Sequence, residues 1–191
     1  MKNNSIKNNL LAADIALTGY YLTNFINLAV REKLEILKWR NDENVRKWMF
    51  DDKIIEEAGH LKFIENLKND SKNHYWRLSG SNGEKYGVIS INKLDLNNLN
   101  SYLGIYKNPD LDKKGTGIIL MKALFYAAFE MIGLHTLKLE VAADNERAIK
   151  LYIKTGFTEE GRLREFLNKN GRRLDVIVMG ITSKEADYEN F

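Results

Sequence analysis

Hydrophobic and polar positions change period several times along the chain, and each change predicts an element. Tyr20–Leu28 (YYLTNFINL) is dense in aromatic and β-branched residues and predicts a first strand. In Arg31–Asn41 the apolar Leu34, Leu37 and Trp39 recur at roughly helical spacing. Val45–Phe50 (VRKWMF) then sets large apolar groups beside charges. Ile55–Leu67 is an amphipathic helix, with Leu61, Ile64 and Leu67 on one face and Phe63 offset from it. The polar run Asn69–Asn73 breaks it.

From residue 74 the period becomes two. Tyr75–Leu78 is a strand, Ser79–Lys85 carries the Asn82-Gly83 pair of a hairpin turn, and Tyr86–Leu94 is the partner strand. Asp95–Asn100 turns into a third strand, Ser101–Tyr106, which Asn108-Pro109 ends. Leu111–Met131 is a polar loop with two glycines that runs into a long apolar helix. In Leu134–Val141, Leu137, Leu139 and Val141 alternate with Lys138 and Glu140. Asp144 or Asn145 caps the next helix, Glu146–Lys154, which Gly156 closes. Phe157–Arg164 and Arg173–Ile181 are two final strands joined through Lys169-Asn170-Gly171. Strand–helix–strand across 101–141 predicts one parallel pair and the rest antiparallel. The fold class is α/β (α+β), a mixed sheet of about seven strands flanked by helices.

At 191 residues, 44% hydrophobic, the chain is one domain with a full core. We place that domain at 19–183, after an N-terminal extension (1–18, an ordered lead-in or a frayed tail) and before a tail (184–191). The 29 Lys+Arg against 26 Asp+Glu give a net charge of +3 without a dense basic block, so no nucleic-acid partner is expected. The bias suits an anionic small molecule. The absence of cysteine excludes disulfides, thiolate metal sites and a cysteine nucleophile. His60, His74 and His135 share no metal-ligand spacing, so no metal is expected. No apolar run reaches the 18 residues of a membrane span, and Asp14 interrupts Leu10–Leu17, so we expect a cytoplasmic protein with no membrane partner.

The glycine loop carries the first chemical signal. Gly115 and Gly117 let the backbone turn sharply and approach a ligand. The unpartnered N–H groups at the start of the following helix carry positive dipole charge, which favours phosphate. Lys113 and Lys114 add charge beside it. A capping loop on a core helix would read the same way.

The order of the pieces is more specific than any one of them. Gly104-Ile105-Tyr106, then Pro109, then Lys114-Gly115-Thr116-Gly117 and an apolar helix, resembles the acetyl-CoA loop of the GNAT superfamily of N-acetyltransferases. Leu139–Phe157 (LEVAADNERAIKLYIKTGF) is similar to the family's strand, Asn, helix, Tyr and closing Gly-Phe, and Glu160–Ile181 to a C-terminal hairpin of its ribosomal-protein and amino-sugar branches. Tyr102–Pro109, Phe129–Val141, Trp39–Asn41 and Trp48–Phe50 resemble the branch of pseudaminic-acid biosynthesis, which acetylates the 4-amino group of a UDP-linked 4-amino-4,6-dideoxy sugar made for flagellin glycosylation. One departure stands out: Asp112 occupies a loop position where the family has Gln or Arg.

The resemblance implies a site. Acetyl-CoA is the expected cosubstrate. Backbone groups of Ile105, Tyr106 and Lys107 would follow its pantetheine arm. Lys113, Lys114, Gly115, Thr116, Gly117 and Ile118 would surround its pyrophosphate, and Asn145 would bond the arm or cap its helix. An acceptor amine must lose a proton before it attacks. Glu140 matches the family branch's acidic base, and Tyr152, two helical turns after Asn145, its general acid toward the thiolate. Arg40 is the candidate contact to a nucleotide phosphate. Trp48, Met49, Phe50, Phe63 and Tyr102 are candidates for an apolar surface under the sugar's 6-methyl group, and Ser90 for a hydrogen bond to the sugar. Core packing and surface ion pairs are the plain alternatives for each. Edge strands in this family often pair into a homodimer.

Three rivals remain at this stage. A ribosomal-protein or protein N-terminal acetyltransferase fits the same hairpin, but Trp39–Asn41 and Trp48–Phe50 argue against a basic peptide. A polyamine or antibiotic acetyltransferase should gather carboxylates around the acceptor, and Glu56-Glu57 is too thin a cluster. A non-catalytic acetyl-CoA-binding module has no need of both Glu140 and Tyr152.

Overall fold

The protein is described by a computed structural model for residues 11–169 and 171–188. Its period-two stretches become β1 (Ile15–Leu17), β2 (Tyr20–Asn24), β3 (His74–Gly80), β4 (Lys85–Asp95), β5 (Asn100–Lys107), β6 (Thr136–Ala142), β7 (Thr158–Lys169) and β8 (Arg172–Thr182). They join in one sheet in the order β1-β2-β3-β4-β5-β6-β8-β7. β5 and β6 run parallel and the other neighbours antiparallel. The mixed sheet expected from the sequence is present, with eight strands instead of about seven.

The additional strand is β1, inside the segment read as an extension. Leu11 and Ile15 are buried in the main core, and β1 pairs with β2. Residues 1–10 lie outside the described residues. The expected strand Tyr20–Leu28 stops at Asn24, because the Asn24 side chain accepts from the Ile26 N–H at 3.1 Å and starts a 3₁₀ turn, Phe25–Asn27. Its amide also donates to the Leu11 carbonyl at 2.8 Å, which fixes the lead-in. At the other end, Tyr188 lies 5.9 Å from Phe129, so the start of the tail packs on the core as well.

Alternation along the strands splits the apolar side chains between the two faces of the sheet. On one face Trp76, Ile89, Ile91, Leu137, Leu139 and Met179 meet helix α4 (Thr116–Phe125) and helix α5 (Glu146–Lys154). Past Phe125 the α4 helix widens into a π-helical stretch, Tyr126–Met131. On the other face Val88 meets Ile36 and Trp39 of helix α1 (Val30–Asn41) and Ile64 of helix α3 (Glu57–Asn66). The short helix α2 (Glu43–Arg46) follows α1 directly. Each such fully buried side chain contributes roughly 2 kcal/mol from area removed from water. Arg77 of β3 crosses under α1 to Glu32 at 2.6 Å, and Glu32 also accepts from the Ala29 N–H at 3.0 Å. This pair ties α1 to the sheet and fixes where its C-terminal end, with Arg40, emerges. No helix among the described residues is long and apolar enough to cross a membrane.

Candidate functional site

The parallel pair is short. Asn100, Ser101 and Tyr102 of β5 pair with Thr136, Leu137 and Lys138 of β6, and then the strands part. β5 continues to Lys107 against β4, and β6 continues to Ala142 against β8. The edges of residues 103–107 and 139–142 that face each other therefore have no strand partner. Unpaired backbone groups at depth are costly, so this notch favours an extended, amide-bearing molecule lying along it. Ile105, Tyr106 and Lys107 form one of its walls. The Lys107 ammonium donates to the Leu111 carbonyl at 3.3 Å and holds the next loop against the strand end.

That loop leads to the N-terminus of α4. Gly115 sits at φ 82°, ψ −6°, a left-handed conformation that costs an L-residue about 1 kcal/mol or more. No side chain caps the first turn of α4; the Ile118 N–H donates to the Gly115 carbonyl at 2.9 Å, and the N–H groups ahead of it remain available. The Thr116 hydroxyl is buried and donates to the Lys113 carbonyl at 2.8 Å, closing the turn. Ile118 is half-buried in the first turn.

Two long-range contacts bear on this loop. A Cβ on Gly117 would come 3.0 Å from Leu151 of α5, so close helix–helix contact is a second reason for a glycine there. Lys113 does not stand free beside the helix. Its ammonium lies 2.7 Å from Glu84 and 2.9 Å from the Tyr86 hydroxyl, across the β3–β4 hairpin. Asn82, Lys113 and Tyr86 together pull the Glu84 carboxyl down to about 2. Lys114 and the unusual Asp112 are exposed.

Helix α5 begins at Asn145, whose side chain accepts from the Ala148 N–H at 3.2 Å. Tyr152 follows two turns later on the same side. It is 9% exposed, 5.9 Å from the Phe157 ring, and burial pushes its hydroxyl up to about 12. Among the described residues no group hydrogen-bonds that hydroxyl. A phenol that keeps its proton at neutral pH, with no partner in the fold, suits a group that donates to a departing anion.

The opposite face of the sheet carries polar side chains beside the notch. Glu140, on β6 just past the last β5 pairing, lies 3.9 Å from the Lys93 ammonium. That ammonium sits 4.4 Å from the centre of the Tyr102 ring. Ser90 is buried, donates to the Gly104 carbonyl at 3.4 Å and accepts from the Asn92 amide at 2.9 Å. The Asn92 side-chain oxygen is buried with no partner. A Cβ on Gly104 would come 2.6 Å from the Ser90 oxygen, so this strand position accepts only glycine without a shift. Lys138 pairs with Glu160 at 2.9 Å. Asn92, Lys93, Lys138 and Glu160 were missed as site residues. Period-two alternation from Ser90 and Glu140 points to Asn92 and Lys138; nothing local points to Glu160.

The remaining candidates fall in different surroundings. Arg40 donates to the Asp51 carbonyl at 2.7 Å, and burial lowers its guanidinium's affinity for its proton. Trp48 and Phe50 are 40% and 38% exposed in the turn after α2, with Met49 half-buried between them. Phe63 turns to Tyr75, edge-on at 5.2 Å. Tyr102 lies under Lys93. The five apolar candidates thus do not share one set of contacts: Trp48, Met49 and Phe50 share a turn, and Phe63 and Tyr102 each pack elsewhere.

Residues 31–178 match the acetyltransferase (GNAT) domain family. Acetyltransferase PseH of Campylobacter jejuni is 37% identical over 137 residues, covering 72% of this chain and 83% of that protein. A ribosomal N-acetyltransferase of Bacillus subtilis, YdaF, so named putatively, is 26% identical over 83% of this chain and 88% of its own. Among solved structures, spermidine N-acetyltransferase from Vibrio cholerae in complex with CoA and spermine superposes with a TM-score of 0.80 at 22% identity, over 88% of this chain and 98% of that one. That likeness concerns the fold. With the family matched over most of its length, this chain belongs to the GNAT family and is an acetyl-CoA-dependent N-acetyltransferase.

Proposed function

We propose that the chain transfers the acetyl group of acetyl-CoA to the 4-amino group of a UDP-linked 4-amino-4,6-dideoxy-N-acetyl sugar, a step of pseudaminic-acid biosynthesis for flagellin glycosylation. The observation that carries this reading is the 37% identity to Acetyltransferase PseH over 83% of that protein. Cosubstrate and acceptor meet in one ternary complex.

In this reading the backbone of Ile105, Tyr106 and Lys107 lies along the pantetheine arm. The N–H groups from Lys114 to Gly117 meet the pyrophosphate with Ile118 beside it, Lys113 orients the loop through Glu84, and Asn145 reaches the arm. Glu140 takes a proton from the sugar ammonium, directly or through a water. The neutral nitrogen attacks the thioester carbonyl, and the oxyanion that forms faces a backbone N–H of the β5 edge. Collapse breaks the carbon–sulfur bond, and Tyr152 returns a proton to the thiolate. Arg40 meets the nucleotide, Ser90 the sugar, and Tyr102 offers surface to its 6-methyl group, while Trp48, Met49 and Phe50 offer a separate apolar turn to the acceptor. The exposed edge strand β7, with Leu163 and Phe166 outward, is a candidate surface for a homodimer.

A polyamine acceptor is the second reading, favoured by the 30% identity over 99 residues to spermidine N(1)-acetyltransferase of Escherichia coli. Lys93 and Lys138 beside Glu140 speak against a multiply charged cation there. Thiol release from acetyl-CoA decides between them, with the UDP-4-amino-4,6-dideoxy sugar, its 3-amino isomer, spermidine and a basic peptide as acceptors. Turnover confined to the 4-amino nucleotide sugar is expected. Turnover on spermidine or the peptide alone overturns the sugar assignment.

A further inference from the structure

The loop between β5 and α4 has no strand or helix of its own, yet both its ends are held by three consecutive residues where the β3–β4 hairpin enters β4. At its start the Asn108 N–H donates to the Tyr86 carbonyl at 2.9 Å, and the Asn108 side-chain amide to the Lys85 carbonyl at 2.9 Å. At its end the Lys113 ammonium donates to Glu84 Oε2 at 2.7 Å and to the Tyr86 hydroxyl at 2.9 Å. Lys113 is fixed a second time, because its carbonyl accepts from the Thr116 hydroxyl at 2.8 Å. The uncapped first turn of α4 follows directly.

The hairpin side of this contact is built to hold still. Three donors converge on Glu84 Oε2: the Asn82 amide and the Tyr86 hydroxyl, both at 2.9 Å, and Lys113. The Tyr86 ring is buried in the main core, edge-on to Tyr20 at 5.5 Å, so its hydroxyl is a fixed point. A Cβ on Gly80 would come 2.6 Å from the Asn82 side-chain oxygen and 3.2 Å from the Tyr86 ring, so the turn is shaped to bring those two side chains together. The Lys113 ammonium also lies 5.0 Å from the centre of the Tyr86 ring. A lysine that served only to attract phosphate would gain nothing from a carboxylate that neutralises it.

We infer that Glu84 and Tyr86 are positioning residues for the coenzyme: through Lys113 and Asn108 they preset the loop whose backbone N–H groups meet the pyrophosphate, and Lys113 is their grip and not a phosphate ligand. The inference rests on the reading of this loop as the pyrophosphate site and extends that site into the β3–β4 hairpin. A loop ordered before binding loses less conformational freedom when the ligand arrives, which raises affinity. The alternative makes Lys113 a phosphate ligand that Glu84 withholds. The two accounts give opposite signs for one substitution.

Calorimetric titration of the full chain with CoA reads that sign, on wild type, Glu84→Ala, Glu84→Gln, Lys113→Met and the combination of Glu84→Ala with Lys113→Met. The Lys113 and Glu84 side chains are 40% and 34% exposed, so solvent screens the pair in part and the expected factor is modest. Glu84→Ala should raise the CoA dissociation constant about three- to tenfold, and Lys113→Met by a similar factor. Glu84→Gln keeps an acceptor oxygen without the charge and should fall between wild type and Glu84→Ala; it also keeps the test open if the alanine variant does not fold. The combined variant should match the single ones instead of multiplying them, because each removes the same contact. In thiol release the KM for acetyl-CoA should rise by the same factor while kcat holds. Tighter CoA binding in Glu84→Ala overturns the inference and makes Lys113 a phosphate ligand. Unchanged CoA affinity overturns it as well, even where urea stability falls, since the contact is then structural alone. Gly115→Ala separates the inference from the reading beneath it. If Gly115→Ala weakens CoA binding and Glu84→Ala does not, the positioning role falls and the pyrophosphate site stands. If neither moves CoA affinity, both fall.

Discussion

Replacing Tyr152 with Phe removes one hydroxyl and leaves a ring of the same shape against Phe157. The structure gives that change a measurable signature apart from catalysis. Burial holds the Tyr152 hydroxyl at about 12, against an ordinary 10.0. A raised value in the folded state contributes stability that is whole below pH 10 and is lost as pH rises toward 12. At pH 11 the unfolded tyrosine is about ten to one ionised and the folded one still largely protonated. The difference costs about 1.4 kcal/mol of wild-type stability, one pKa unit's worth. The Phe variant has no such group, so its stability should fall less over that range. Urea unfolding at pH 8, 9.5 and 11 measures the gap. At pH 8 the two should agree within about 1 kcal/mol, because the lost hydroxyl has no hydrogen-bond partner in the fold. Other buried tyrosines, Tyr75 and Tyr106, are also raised and cancel in the difference. In the same variant kcat should drop about 100-fold with the KM for acetyl-CoA unchanged, the typical share of a general acid. Parallel stability curves for wild type and variant from pH 8 to 11 would refute the burial argument. An unchanged kcat would remove Tyr152 from the chemistry.

Glu140→Gln keeps the side chain's shape and removes the base, so kcat should fall about 100-fold in the thiol-release assay while acetyl-CoA still binds. Gly115→Ala forces a Cβ into a left-handed backbone and should cost about 1 kcal/mol in urea unfolding, together with weaker CoA binding by calorimetry. Glu32→Gln leaves the buried Arg77 without its charged partner and should lower stability at neutral pH. The hydrogen bond from Arg77 sets the Glu32 carboxyl below its ordinary 4.5, so wild type gains stability above that pH and loses it on further acidification. The variant should therefore lose less between pH 5 and pH 3 in the same assay.

Local signals in the sequence carried much of the fold. The Asn82-Gly83 turn, the alternation of Leu137, Leu139 and Val141, and Asn145 before α5 are rules of a few residues, and the structure follows them. Long-range partners were not legible. Lys113 reads as a loop cation until Glu84, 29 positions away, is placed beside it. Gly117 reads as a ligand glycine, and only the fold adds the packing reason, Leu151 of α5 lying over it. Asn24 ends a strand that its composition would extend, because a side-chain bond to the backbone competes with the ladder. β1 was hidden since three residues of strand carry too little pattern to stand out. The notch itself has no sequence signature: β5 and β6 alternate as well after they part as before.

The notch divides the sheet along a line that the chain also respects. All the strands on one side, β1 to β5, come from residues 15–107, and all those on the other from 136–182. Three register pairs join the two halves through the backbone. Such a seam is where a domain opens first, well below its global unfolding energy, and amides along residues 103–107 and 139–142 should exchange hydrogen early. A molecule that bridges those edges acts as a strut. At a hundredfold excess over its dissociation constant it adds about 2.7 kcal/mol, delivered to the one line where the sheet is not sewn to itself. In the proposed reading the cosubstrate would supply the missing rungs along that line, on a sheet whose two halves already share one buried core.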